Sequence, residues 1–276
     1  MISLDKHRVC STQCSLGEGL FVKNSNACWV DINNDRVFAS DACSVIEYPV
    51  KNKPSVIFDF NEDYIQLGTE VGLVSLCRTK LLEDRYASVL PEHSLIDYRS
   101  NDGGYCGQHQ LLSFMHRENP ANYPGYVYIF SGDLYTLLDN TIHIPNTFVA
   151  LDSSKILISD SLTGEIWLYQ MSNDGELTSK SLWVQLDSGV TPDGGCIVAD
   201  YILLALWEGA ALVVITKDGE IVQYLPMPVS KPTNCKFDSL ASQLWVTSAS
   251  EGLTTEQMEE YPESGRTFVF DLNILR

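Results

Sequence analysis

Short apolar runs, each broken by a small polar cluster and then resumed, recur along the whole chain. They read ACWVDINNDRVFASD over 27–41, VGLVSLCRTKLLEDRYASV over 71–89, and HQLLSFM with GYVYIFSGDLYTL over 109–137. KILISDSLTGEIWLYQM follows at 155–171, YILLALWEGAALVVITKDGEIVQYL at 201–225, and SQLWVTSASEG with RTFVFDL over 242–272. Each unit holds one apolar strand, a polar break, and a second strand with Val, Ile, Tyr or Phe in alternation. The breaks Asn33-Asn34, Leu162-Thr163-Gly164 and Lys217-Asp218-Gly219 carry hairpin chemistry.

The matching strands centre near residues 30, 75, 113, 158, 205 and 247. A repeat of roughly 40–46 residues is the length of one four-stranded propeller blade. Six such units fill residues 1–276, so the expected fold is all-β: a single six-bladed β-propeller domain with a central channel. Helical periodicity is confined to TTEQMEEYPESG, 254–265. That argues against a βαβ fold, and a seven-strand sandwich would not need so long a chain.

Acidic residues number 36 against 18 basic, a formal net charge of −18. Such a chain repels phosphate backbones and anionic membrane surfaces, so neither nucleic acid nor membrane is an expected partner. The opening MISLDKHRVC carries charges where a signal peptide needs an apolar stretch, which points to the cytoplasm. The eight cysteines, at 10, 14, 28, 43, 77, 106, 196 and 235, are then expected to be reduced thiols. Cys10 and Cys14 have no second pair to complete a zinc clip.

Candidate chemistry sits where apolar segments begin. Glu18 lies in SLGEGLF, Arg99, Asn101 and Asp102 in YRSNDGG, Asn146 in HIPNTFVAL, and Asp193 in TPDGGCIVAD. The last stretch reads as turn chemistry over Thr191–Gly194 leading into a buried strand. In a propeller, polar residues at blade starts converge on one mouth of the channel.

LGEGL with WVDI, RSNDGG, IPN followed by LISDSLTGEIWLY, TPDG, and LPMPVSKPTNCKF ending in LWVTSA occur in an order that resembles the regucalcin/gluconolactonase/luciferin-regenerating-enzyme-like family. The resemblance runs from about residue 10 to the end. It implies a six-bladed propeller with one divalent metal in its channel. Carried over by motif, it implies that Glu18, Asn146 and Asp193 bind the metal. It also implies that Arg99, Asn101, Glu118 and Trp207 line the substrate cavity, with Asp102 holding the Asn101 loop. Some positions depart from the family. Leu20 stands where it has proline after Gly19, and Thr147 where it has glycine after Asn146, which bears on the backbone angle there.

Two carboxylates and an amide oxygen are hard ligands, suited to Ca²⁺ first, then Mg²⁺ or Mn²⁺, with Zn²⁺ also tolerated. Two converging carboxylates without a cation would repel. The expected activity is metal-dependent hydrolysis of a small-molecule sugar lactone: the metal polarises the carbonyl, and Asp193 serves as general base. Alternatives are a Ca²⁺- or sugar-acid-binding protein without turnover, and a metal-dependent esterase or phosphotriesterase. His109, His116 and His143 lie near these loops without the spacing of a nucleophile's base and are read as structural. Propeller sheets need no partner to close, so a monomer is expected.

Overall fold

A computed structural model describes residues 1–40, 44–88, 97–132 and 134–274. Strands dominate, in six antiparallel sheets of four strands each, and the fold is a six-bladed β-propeller. Blade 1 comprises Gly17–Lys23, Asn26–Asp31, Arg36–Ser40 and Val45–Pro49. Blade 2 comprises Pro54–Phe60, Tyr64–Thr69, Gly72–Cys77 and Leu82–Ser88. Blade 3 comprises Tyr98–Cys106, His109–His116, Tyr126–Ser131 and Leu134–Asp139. Blade 4 runs through Pro145–Ala150, Lys155–Asp160, Glu165–Met171 and Leu177–Gln185. Blade 5 runs through Thr191–Val198, Tyr201–Trp207, Ala211–Thr216 and Ile221–Pro226. Blade 6 takes Pro232–Asp238, Gln243–Ser248 and Phe268–Ile274 from the end of the chain, and Ile2–Val9 from its beginning.

Two compact units share these blades: Met1–Glu47 with Asp193–Arg276, and Tyr48–Pro192. In the first, Cys196, Val198 and Leu203 of blade 5 pack with Leu244, Val246 and Phe268 of blade 6. Trp29 and Phe38 of blade 1 pack with Trp245 and Val269 of blade 6. In the second unit, Phe58 and Leu73 of blade 2 meet Leu112 and Phe114 of blade 3. Ile129 of that blade meets Ile156 and Tyr169 of blade 4. The apolar faces that the alternation pattern marks are therefore spent blade against blade.

The hairpin breaks fall between strands as expected, and the helical stretch contributes one short helix, Thr255–Glu260, with a capping box from Thr254 and Gln257. Thr191–Gly194 departs from expectation. It is not a turn: Thr191–Val198 is strand throughout, and Asp193 is 6% exposed. Pairing with the neighbouring strand Tyr201–Trp207 overrides the local turn chemistry. The actual turn comes later, where Ala199 takes φ +53° without a glycine. Among the described residues, no helix is long and apolar enough to cross a membrane.

Candidate functional site

In blades 1, 3 and 4 the first strand is bulged where the sequence places its polar residue. Pairing slips between Glu18 and Phe21 in blade 1, between Ser100 and Gly103 in blade 3, and between Asn146 and Val149 in blade 4. A bulge adds a residue on one strand and re-aims the side chains around it, which is why bulges gather at functional sites. In blade 1 the slip uses Gly19 at φ +59°, a conformation open to glycine. In blade 4 it is Thr147 that takes φ +82°, followed by Phe148 at +42°. For a β-branched residue this is strained backbone, and it lies where the family resemblance implies glycine. Thr147 is buried, and its hydroxyl pairs with that of Ser159 at 2.7 Å.

Glu18, Asn146 and Asp193 share one local geometry. Each is buried, at 6%, 7% and 6% exposure. Each folds a side-chain oxygen back onto the N–H of the next residue. Gly19 donates to Glu18 Oε2 at 2.7 Å, Thr147 to Asn146 Oδ1 at 2.8 Å, and Gly194 to Asp193 Oδ1 at 3.1 Å.

Around Glu18 and Asp193, in the first unit, a residue that sequence reasoning passed over joins the set. Asn234 is 2% exposed and donates Nδ2 to Glu18 Oε2 at 3.2 Å. Its Oδ1 is buried and accepts no hydrogen bond from the described residues. A Cβ at position 194 would lie 2.2–2.7 Å from the Asn234 amide atoms, so Gly194 is what admits this side chain. The signal was present in KPTNCKF: Asn234 occupies the blade-start position that Glu18, Asn146 and Asp193 occupy in theirs.

In the second unit, Arg99 Nη1 donates to Asn101 Oδ1 at 2.8 Å and to Ser100 O at 3.0 Å. Asn101 Nδ2 donates to Pro145 O at 3.0 Å, and Ser113 Oγ reaches the same carbonyl at 3.2 Å. The Arg99–Asn101 pair is thus tied to the residue just before Asn146. Asp102 is held through its backbone, which exchanges hydrogen bonds with Ser113 Oγ at 3.1 and 2.8 Å.

Glu118 and Trp207 stand differently. Glu118 is exposed on the loop after the second strand of blade 3, and its N–H donates to His116 Nδ1 at 3.2 Å. Trp207 is half-buried, with Lys231 Nζ 4.6 Å above its ring. Lys231 also pairs with Glu208 at 3.2 Å and donates to Glu251 O at 2.8 Å. The three histidines are engaged structurally: His109 with Ser131 Oγ and Asn173 O, His116 stacked on Tyr123, and His143 with Asp160.

Seven cysteines are free thiols, and Cys43 lies outside the described residues. Burial pushes the Cys14 thiol up to about 12, so it is no ready metal ligand. Among the described residues no group of three or more His, Cys, Asp or Glu side chains is arranged to hold a metal. A cation would have to draw on amide oxygens as well as carboxylates. Within the first unit the donors on hand fit that demand: the buried carboxylates of Glu18 and Asp193, and the buried Asn234 oxygen, which accepts no hydrogen bond from the described residues.

A six-bladed β-propeller with buried oxygen donors in the first strands of several blades is the class that this fold and these residues define. The chain belongs to the SMP-30/Gluconolactonase/LRE-like family, whose model matches residues 16–250. The L-arabinolactonase of Azospirillum brasilense is 26% identical over 273 residues, 94% of this chain and 89% of its own. The regucalcin of Bos taurus is 25% identical over 291 residues, 97% of this chain and 94% of its own. A solved structure of regucalcin from Agrobacterium tumefaciens, described as a calcium-binding protein, superposes with a TM-score of 0.86 at 21% identity. It covers 94% of this chain and 90% of that one, a likeness of fold. Named relatives of the chain thus include both sugar lactonases and regucalcins.

Proposed function

We propose that the protein is a metal-dependent sugar lactonase, with Glu18, Asn146 and Asp193 as ligands of one divalent cation, Ca²⁺ before Mg²⁺, Mn²⁺ or Zn²⁺. The observation that carries this reading is the shared geometry of those three residues. Three positions far apart in sequence are each buried in the first strand of a blade, with one oxygen bound to the following N–H. Casual turn residues would not repeat it. The relationship to a named L-arabinolactonase supports the substrate class.

When bound, the cation would polarise the lactone carbonyl and stabilise the charge that develops on its oxygen. Asp193 takes the proton of the attacking water. Arg99, its guanidinium steadied by Asn101 and Ser100 O, offers paired donors to sugar hydroxyls and to the carboxylate that forms on ring opening. Asn101 keeps that arm in register with the Asn146 strand through Pro145 O. Glu118 and Trp207 complete the substrate side.

The test follows acid release from a panel of aldonolactones, before and after chelation, with single metals added back. The expected result is chelator-sensitive turnover that falls about 10²–10⁴-fold in Asp193→Asn. Turnover indifferent to chelation would remove the metal from the scheme. Ca²⁺ uptake with no acid release from any lactone or ester would leave a binding protein instead.

A further inference from the structure

Asn234 has a shape of environment that packing alone does not explain. A nearly fully buried amide ordinarily satisfies both its ends. Here Nδ2 is committed to Glu18 Oε2 at 3.2 Å while Oδ1 accepts nothing from the described residues. The amide is seated against Gly194, where any side chain would collide with it, and Gly194 directly follows Asp193. One amide thus touches the strand of each carboxylate: it bonds to Glu18 itself and fills the space that the residue after Asp193 leaves open.

We infer that Asn234 is a positioning residue for the divalent cation, a role that rests on the metal reading given above. Its N–H holds one oxygen of Glu18, which fixes the rotation of that carboxylate. Its buried Oδ1 adds a neutral hard acceptor next to Glu18 and against the residue that follows Asp193, suited to a cation or its water. Gly194 is the matching device, reserved for the amide by the absence of a Cβ. Without ligand, Asn234 contributes little to folding, because the bond to Glu18 is offset by the unmet oxygen buried with it.

The experiment is Ca²⁺ titration by calorimetry on the full chain, with melting temperatures of the metal-free forms recorded alongside. Asn234→Ala should bind Ca²⁺ about 10–100-fold more weakly while the metal-free melting temperature stays near wild type. Gly194→Ala should weaken binding comparably by displacing the amide. The double variant should be no weaker than Asn234→Ala alone, since the added methyl then has room; that non-additivity is the signature of a shared cause. Wild-type affinity in Asn234→Ala would overturn the inference and leave the metal reading intact. So would a lowered metal-free melting temperature with unchanged affinity, which marks a purely structural bond. Failure of the wild-type chain to take up Ca²⁺ would overturn both.

Discussion

At the scale of single residues, Asp139 shows how a carboxylate is kept ionised in a largely buried position. Its Oδ1 accepts from the Thr141 N–H and hydroxyl, both at 2.7 Å, and Oδ2 from Lys180 Nζ at 2.7 Å and from the Tyr169 hydroxyl. Burial pushes its pKa up, but the Lys180, Tyr169 and Thr141 donors outweigh it and hold the group below the usual carboxylate range. Burial and the Asp139 charge together hold Tyr169 far above the usual phenol range, so the hydroxyl remains a donor. A depressed carboxylate stabilises the fold above its unfolded pKa, near 3.9, and the contribution fades as pH falls through the lower, folded value. Asp139→Asn should therefore cost about 2–3 kcal/mol at pH 7. In urea unfolding the gap to wild type should narrow steadily below about pH 4. A gap that does not change with pH would show that shape, not charge, sets the contribution.

Residue-scale chemistry was only partly legible in advance. Asp193 could be singled out because Pro-Asp-Gly is conspicuous, yet the same conspicuousness misread its backbone as a turn. Asn234 carried only its blade-start position as a signal, and a lone Asn between Thr and Cys gains its meaning beside Glu18 and Gly194, 216 and 40 positions away. The bulges were invisible for the same reason: a slip in register exists between two strands and not within either.

At the scale of elements, WVD and ISD motifs at the ends of second strands prove to anchor the segments that lead into first strands. Asp31 accepts from Ser15 N–H at 3.0 Å and Leu16 N–H at 3.1 Å, three and two residues before Glu18. Asp160 accepts from His143 N–H at 2.9 Å and Ile144 N–H at 3.1 Å, three and two residues before Asn146. The repetition in two blades makes these carboxylates the local reason that Glu18 and Asn146 sit where they do. Both are buried, and Asp31 also binds Arg36 at 2.9 Å. Asp31→Ala or Asp160→Ala would leave buried and half-buried amides unmet and should cost about 2–4 kcal/mol. Each should also weaken Ca²⁺ binding more than an Asp139→Asn change of similar stability cost. Paired urea and Ca²⁺ titrations decide it, and equal affinities would show that the anchors serve folding alone.

At the scale of the whole molecule, the blade period was readable because each blade repeats the same apolar strand and polar break. The way the sixth blade is completed was not. Its fourth strand is Ile2–Val9, paired antiparallel with Phe268–Ile274, so that Ile2 faces Ile274 and Leu4 faces Leu272. A pairing between the two ends of a chain leaves no local trace beyond the alternation of Ile2 and Leu4. Ile2 is 1% exposed within the core shared by blades 5 and 6. Its backbone is clasped by the Gln223 side chain of blade 5, which accepts from Ile2 N–H at 3.1 Å and donates to Ile2 O at 2.9 Å. Ile2→Ala should therefore cost about 2–4 kcal/mol, most of it in a cavity that neighbouring blades cannot collapse to fill. Deleting residues 2–9 should do more, because Phe268–Ile274 then becomes an open edge with its backbone groups exposed to other chains. Melting curves and light scattering on both variants check this. Ile2→Ala should melt earlier without associating, and the deletion should melt earlier and self-associate. A deletion variant that stays monodisperse with a wild-type melting temperature would mean that three strands suffice for the sixth blade, and that the clasp by Gln223 contributes nothing to holding the ends of the chain together.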